Sequence, residues 1–425
     1  MGAVTGAEVG MGGVAVGTLD RGPLAAVLPW GAIALADGTI VDWWIVAEDR
    51  VHHPADEPTR RQRRIDGTPV VETIVRVPGG DVTSIAYAVA DLDGLVVIEL
   101  VNASRSAVAV AFDRAVLSDR ALHRPPPGAG LPVHAVVVPL GHGASTRIAV
   151  GDDRAVAAAT RLLSSVASPE QVMRGWTAQA AVGPRLVTPD PGWSDVLAAA
   201  RCDALLSALP DPRRDAIGFV LGVHARRGHH RPTEVVRDEI AGAVERIARV
   251  HRRFRHDLPW DAAAALERAA QLFDDDGDRR AQTDITDAIE RLPLAGPLPC
   301  WSDRPVDAAR LVAWFEDRLA RSSRDGVAII ATFDGAWLGQ PIEAHDIVTR
   351  HASVSFAVRW HGERPALLWE TSAEVRLTCP GLDPSWTSVG RRGEALLAVP
   401  PIAASAASIT SVASVTSAAT ARRLA

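Results

Sequence analysis

The stretch Thr233–Arg253, TEVVRDEIAGAVERIARVHRR, decides the fold. Its apolar residues recur every three or four positions, the period of a helix that lays one face on a core. Thr233 stands where an N-cap belongs. Working outward, Asp195–Leu209 and Arg214–Arg226 before it, and Trp260–Phe273, Gln282–Leu292 and Val306–Arg321 after it, read the same way. Pro259 suits a first helical turn, and Gly228 and Gly277 fall just past helix ends. Short connections make successive helices antiparallel neighbours, so 153–325 reads as a stack of helical hairpins. The hairpins do not repeat in sequence, and no solenoid is expected.

On both sides the period changes to that of strands. Ala32–Leu35, Thr39–Val46, Val70–Val77, Val82–Ala90, Leu95–Val101 and Ala107–Phe112 are separated by turn signals such as Asp37-Gly38 and Pro78-Gly79-Gly80-Asp81. Two more strands are expected near Val133–Pro139 and Thr146–Val150. This spacing predicts an antiparallel β-sandwich over 1–152. After the helices, Val354–Trp360, the turn His361–Arg364 and Pro365–Glu370 form a hairpin in which Trp360 and Trp369 are candidates for a cross-strand aromatic pair. Glu374–Cys379 and Glu394–Val399 complete a C-terminal β unit over 326–402. The tail 403–425, rich in Ala, Ser, Thr and Val, reads as disordered. The fold class is α+β multidomain.

Composition narrows the function. Of the 425 residues, 47% are hydrophobic and 23% charged, which is ample for sizeable cores. The formal net charge is −6, so no nucleic-acid partner is expected. All 45 basic residues are arginine, and the lack of lysine excludes Schiff-base, pyridoxal-phosphate and P-loop chemistry. Cys202, Cys300 and Cys379 lie far apart and imply neither a disulfide framework nor structural zinc. No secretory leader and no membrane-spanning run is read, which makes the cytoplasm the expected compartment.

The densest functional-looking cluster is Trp43, Trp44, Glu48, Asp49, Arg50, His52 and His53. On a strand, Trp43 and Trp44 face opposite ways, so one can pack in the core while the other offers a flat face to a sugar ring. Neighbouring carboxylates and guanidinium groups would bind hydroxyls. Trp43, Trp44, Asp49, Arg50 and His52 are therefore the candidate ligand-binding residues; the competing reading is that both indoles simply cover apolar surface. Adjacent histidines on a strand point apart, so no metal site is expected at His52-His53, nor at the helix-end pair His229-His230. Asp274–Asp278 does not fit a calcium loop, because Arg279 takes the place of the required glycine. Gly10-Met11-Gly12 lacks the strand and helix of a dinucleotide loop. The run Arg60, Arg61, Arg63 and Arg64 reads as a solvated loop. Asp190, Asp257, Asp261, Asp303 and Asp307 are each explained as helix caps or first-turn acids. No cofactor is implied.

The order sheet, helical hairpins, sheet is similar to that of the glucoamylase-like and glycogen-debranching-like α/α-toroid glycosidases, and to actinobacterial proteins of this general plan. Two stretches carry the resemblance: Asp42–Arg50 with His52-His53-Pro54, and Val354–Glu370 with Leu377–Leu382. The resemblance implies that 153–325 is a partial α/α toroid, since a full one needs about twelve helices and roughly 200–350 residues. No catalytic motif of the family matches residue by residue. Glycoside hydrolysis needs two carboxyl groups across the scissile bond, and the sequence designates no such pair. The expected function is therefore a non-catalytic, carbohydrate- or protein-binding relative of the toroid glycosidases. The alternative is a glycoside hydrolase acting on a glucan or oligosaccharide through paired carboxylates.

Overall fold

The computed structural model describes residues 12–400 apart from 91–93, 151–162, 164, 228–231, 254–257 and 293–295. The tail 403–425, Asp257, His229-His230 and Gly10-Met11 lie outside them. The protein is mixed α+β, with seven helices and several largely antiparallel sheets among the described residues. Its contacts gather into two compact units. One takes the chain as far as 180 together with 201–208; the other takes 181–200 and the chain from 209 onward.

The first unit holds three antiparallel sheets. A meander of β1 (Val14–Thr18), β2 (Gly22–Val27), β3 (Ile33–Leu35) and β4 (Ile40–Val41) forms one. The second contains β5 (Trp43–Val46) and β6 (Val51–His52), joined through β11 (Val108–Phe112) to β13 (Val136–Leu140). The third has six strands: β7 (Arg61–Arg64), β8 (Val71–Val77), β9 (Gly80–Val89), β10 (Leu95–Asn102), β12 (Leu117–Ser118) and β14 (Ser145–Val150), in the order β12-β14-β10-β9-β8-β7. The strands alternate buried and half-buried residues, as in β5 and β8. Their inner faces meet in one apolar cluster that includes Val27, Ile45, Val75, Leu100, Phe112 and Ile148. Gly80 sits where a Cβ would come within 2.4 Å of the Ser104 Cα, so only glycine fits that crossing.

The expected single strand Thr39–Val46 is two strands in different sheets. The break falls at Asp42, whose N–H goes to Asp113 Oδ1 (3.1 Å) and whose own Oδ1 accepts the Trp43 N–H (2.9 Å). A side chain that captures local backbone donors in this way competes with the sheet ladder. Helix α1 (Pro169–Ala180) completes the unit, packing Trp176 and Ala180 on Cys202, Leu205 and Leu206.

The second unit begins with β15 (Arg185–Val187), which the sequence did not suggest, and the first part of α2 (Pro191–Leu206). Then come α3 (Ala216–Ala225), α4 (Pro232–Arg253), α5 (Trp260–Asp275), α6 (Arg279–Glu290) and α7 (Ala308–Leu319), within a few residues of the periods read above. α3 is apolar on nearly all sides, and α3, α5 and α7 are largely buried. α4 buries one face, through Ile240, Val244 and Ile247, and α6 buries Ile285. Arg310 binds acids at the N-terminal ends of α3, α5 and α7. Toward the other ends, His224 meets Gln271 (3.0 Å) and Arg268 meets Asp317 (2.7 Å). The three inner helices thus run parallel, with α4 and α6 returning the chain.

The seven-stranded sheet of this unit adds β16 (Ala320–Ser322), β17 (Gly326–Ile329), β18 (Ile342–Val348), β19 (Ser353–His361), β20 (Arg364–Cys379) and β21 (Asp383–Leu396). β20 is one strand where two were expected, with a register shift between Glu370 and Val375 marking the apparent gap. The turn pairs His361 with Arg364, which sets Trp360 opposite Pro365 and Trp369 opposite Phe356. The Trp360–Trp369 pair therefore does not form. Trp369 instead meets Trp386 edge-on at 5.3 Å, and the Trp360 indole N–H donates to the Gln340 carbonyl (2.7 Å).

Candidate functional site

The β5–β6 hairpin gathers most of the residues singled out in the sequence. Alternation along β5 turns Trp43 and Ile45 inward and Trp44 and Val46 outward. Trp43 is 2% exposed, packs in the core and aligns its Nε1 with the Trp30 carbonyl at 3.3 Å. The register pairs Ile45 with His52, which carries His52 to the buried side. His53, one residue on, stacks on Trp44 with ring centroids 4.9 Å apart and planes 17° off parallel.

A buried imidazole must satisfy its nitrogens. His52 Nδ1 lies 2.9 Å from Glu57 Oε1 and Nε2 lies 3.0 Å from Asp49 Oδ1. His53 repeats the arrangement: Nε2 is 2.9 Å from Asp42 Oδ2 and Nδ1 is 3.3 Å from Asp56 Oδ2. An ionised carboxylate only accepts, so in each of these contacts the ring nitrogen is the group that can donate. Arg50 adds a bidentate clasp on Glu57 at 2.7 and 3.1 Å. Burial pushes the Glu57 carboxyl up, but the hydrogen bonds and charges of Arg50 and His52 outweigh it and hold Glu57 below the usual range. The His52 hydrogen bond holds Asp49 low as well.

Of the five candidates, the structure brings Asp49, Arg50 and His52 into one network. It sets Trp44 beside His53 and leaves Trp43 in the core. Glu57 completes that network, and Asp42 and Asp56 hold His53; none of the three was a candidate. For Asp56 and Glu57 the available signal was their placement around the turn that opens with Pro54: a 3-10 turn over Pro54–Asp56 returns both acids to the histidines just before it.

Charge is gathered in four further places. In the second unit, Arg310 holds Asp215 bidentately (2.7 and 2.9 Å), reaches Asp261 (3.2 Å) and lies 3.8 Å from Asp307. Asp215 and Asp307 also cap α3 and α7, accepting the Gly218 and Arg310 N–H groups. Asp190 accepts the Gly192 N–H (2.8 Å). Arg268, 3% exposed, lies between Asp317 (2.7 Å) and Glu316 (3.4 Å), both 4% exposed. Beside them, burial and the Asp317 carboxylate push the Glu267 carboxyl up, while burial pulls His224 well below its ordinary value. Asp275 pairs with Arg227, while Asp276 and Asp278 pair with Arg237, which accounts for most of the acidic loop after α5. In the first unit the arginine run is also engaged: Arg61 with Asp81, Arg63 with Glu72, Arg64 with Asp203, and Arg60 with the Pro54 carbonyl.

A groove of about 640 Å³ runs between α4 and α6, floored by Phe273 of α5 and walled by Ala241, Val244, Ala248, Ala281, Ile285 and Ala288. Its carboxylates are Glu245 and Asp284, and Glu245 is engaged by Arg249 (2.9 Å). Among the described residues no group of three or more His, Cys, Asp or Glu could hold a metal ion, and no helix is long and apolar enough to cross a membrane. No family model matches the chain, and none of the curated proteins matches it.

Proposed function

We propose that the protein is a non-catalytic binding protein built on the plan of the toroid glycosidases, and that its ligand is an oligosaccharide taken at the outward face of the β5–β6 hairpin. One observation carries the reading: the acids that gather do so around a basic side chain. His52 stands between Asp49 and Glu57, His53 between Asp42 and Asp56, Arg268 between Glu316 and Asp317, and Arg310 among Asp215, Asp261 and Asp307. A glycosidase leaves about 5–9.5 Å between its two carboxyl groups for the scissile bond and, in inverting enzymes, a water. Here an imidazole or a guanidinium fills that space. The parallel buried helices α3, α5 and α7, with α4 and α6 returning between them, support kinship with the layered helices of a toroid, and the three N-terminal sheets fit a sandwich-like module before it. Trp44 offers an apolar ring on the side away from the core, with Asp49 (40% exposed), Arg50 (55%) and Asp56 (83%) as partners for hydroxyls.

The test has two arms. Maltose-type and other oligosaccharides are screened by thermal shift; a ligand at 100 times its dissociation constant stabilises by about 2.7 kcal/mol, and Trp44→Ala should abolish the shift. Reducing-sugar release is followed in parallel, with none expected. One observation favours the second reading, a glycoside hydrolase: burial and the Asp317 carboxylate push the Glu267 carboxyl up, the direction an acid catalyst needs. Hydrolysis that disappears in Glu267→Gln would establish that reading and overturn the first.

A further inference from the structure

We propose that two copies of this chain pair edge to edge along β21, antiparallel and centred on Gly393, so that each Arg392 lies opposite Glu394 of the other copy. β21 spans fourteen residues, Asp383–Leu396, and hydrogen-bonds to β20 on one side; no other described strand pairs with it. The Leu397 N–H donates to the Pro365 carbonyl (2.8 Å), which fixes the phase of the ladder. Positions 397, 395 and 393 turn their polar backbone toward β20, so the N–H and C=O groups of Arg392 and Glu394 point away from it. The Leu396 carbonyl, on the same side, accepts from Arg364 (3.1 Å), and the backbone groups of Arg392 and Glu394 are the template for another strand.

Proteins commonly blunt such an edge with charged side chains, proline or a β-bulge; the irregularity of this ladder falls between Gly390 and Arg392 and leaves 392–396 in regular register with β20. Residues 391–394 are exposed, and here the charges are of both signs. Arg392 and Glu394 lie on the same face, two residues apart, with a glycine between them. A two-fold axis through Gly393 sets Arg392 against Glu394 twice, in the two narrow pairs that exchange backbone hydrogen bonds. Shifting the axis by one residue along the strand, onto Arg392, would set arginine against arginine. Gly393 suits the centre. A Cβ there would come within 2.5 Å of the Trp369 indole, so the strand is bare where the copies cross. On the same solvent face, Leu368 (43% exposed) and Leu396 (49%) extend the patch with apolar surface.

Sedimentation equilibrium of the full chain over a range of concentrations tests the pairing. The wild type should show a reversible dimer. Glu394→Pro removes an N–H that faces away from β20; it should weaken the dimer by roughly tenfold or more and leave the circular dichroism unchanged. Arg392→Glu and Glu394→Arg should each be monomeric, and an equal mixture of the two should recover a heterodimer, since both cross-strand pairs are then again of opposite charge. The mixture keeps the test decisive even if the proline variant misfolds. A wild type that stays monomeric at every concentration, or charge-reversed variants that do not restore one another, would overturn the proposal.

Discussion

In the β5–β6 hairpin, four acids, an arginine and two histidines meet within residues 42–57. Around Arg310, the three acids come from positions 215, 261 and 307, at the starts of three different helices. Both regions place acids around a cation, but they join different things. The hairpin network closes a local loop on itself and leaves its outer rim, Asp56 and Arg50, in water. Arg310 and, further along the same helices, Arg268 hold separate helices in register. Loss of a cation in the helical region should therefore loosen the packing of several elements, while loss of one in the hairpin should loosen a loop.

The sharpest way to break the comparison is Arg268→Ala. It leaves Asp317, 4% exposed, without the guanidinium that stands 2.7 Å from it. Breaking a buried pair in this way costs about 3–5 kcal/mol, and chemical denaturation should record a loss of that order in the cooperative unfolding of the second unit. Glu57→Gln comes next. It removes the negative charge shared by buried His52 and by Arg50 and turns one of the two acceptor oxygens into a donor, which costs the charge assistance of contacts worth roughly 1.5–3 kcal/mol. If the hairpin is the more local device, hydrogen exchange should speed up in 42–60 and hardly at all elsewhere. Third is Asp215→Ala, which removes the N-cap of α3 and the main ligand of Arg310. Its side chain is 38% exposed, so the expected loss is that of a cap, about 1 kcal/mol, read by thermal melting.

The same contrast explains what the sequence discloses. Five helices of the second unit were legible from period and caps because each carries its own signal: an apolar stripe, Pro259, Gly277, Asp307. Most strands of the first unit were legible because they alternate. β21 was not, apart from its last residues; Pro384, Gly390, Arg391, Arg392 and Gly393 carry no strand signal, since an edge strand exposed on one side needs no apolar alternation. Within the site, Trp43 and Trp44 follow from the pleat alone. The bridges made by Asp42, Asp56 and Glu57 depend on the Ile45–His52 register and on the 3-10 turn that folds back, and neither is carried by residue type. The Arg310 contacts were out of reach for a further reason. Asp261 and Asp307 were accounted for as helix caps or first-turn acids and Asp215 was not singled out, and nothing in such a signal says that three helix starts share one guanidinium.

The smallest effect is the response to acid, and its sign follows from the direction of the shifts. Glu57 and Asp49 are held below their ordinary values in the folded protein. Unfolded, they would titrate near about 4.3 and 3.9. A carboxyl with a depressed folded value contributes its full stabilisation above the unfolded value and loses it as pH falls through the folded one. The hairpin contribution is thus complete at neutral pH and fades below about pH 4. Other acids fade there as well, Asp215 among them, so the midpoint of the wild type alone cannot isolate the hairpin. The informative quantity is the difference in melting temperature between wild type and Glu57→Gln. It should be largest near neutrality and shrink steadily as the solution is taken below pH 4, because protonation then does to the wild type what the substitution has already done. A difference that stays constant across that range would mean that the ionised Glu57 carboxylate does not hold the hairpin, and that packing around His52 does.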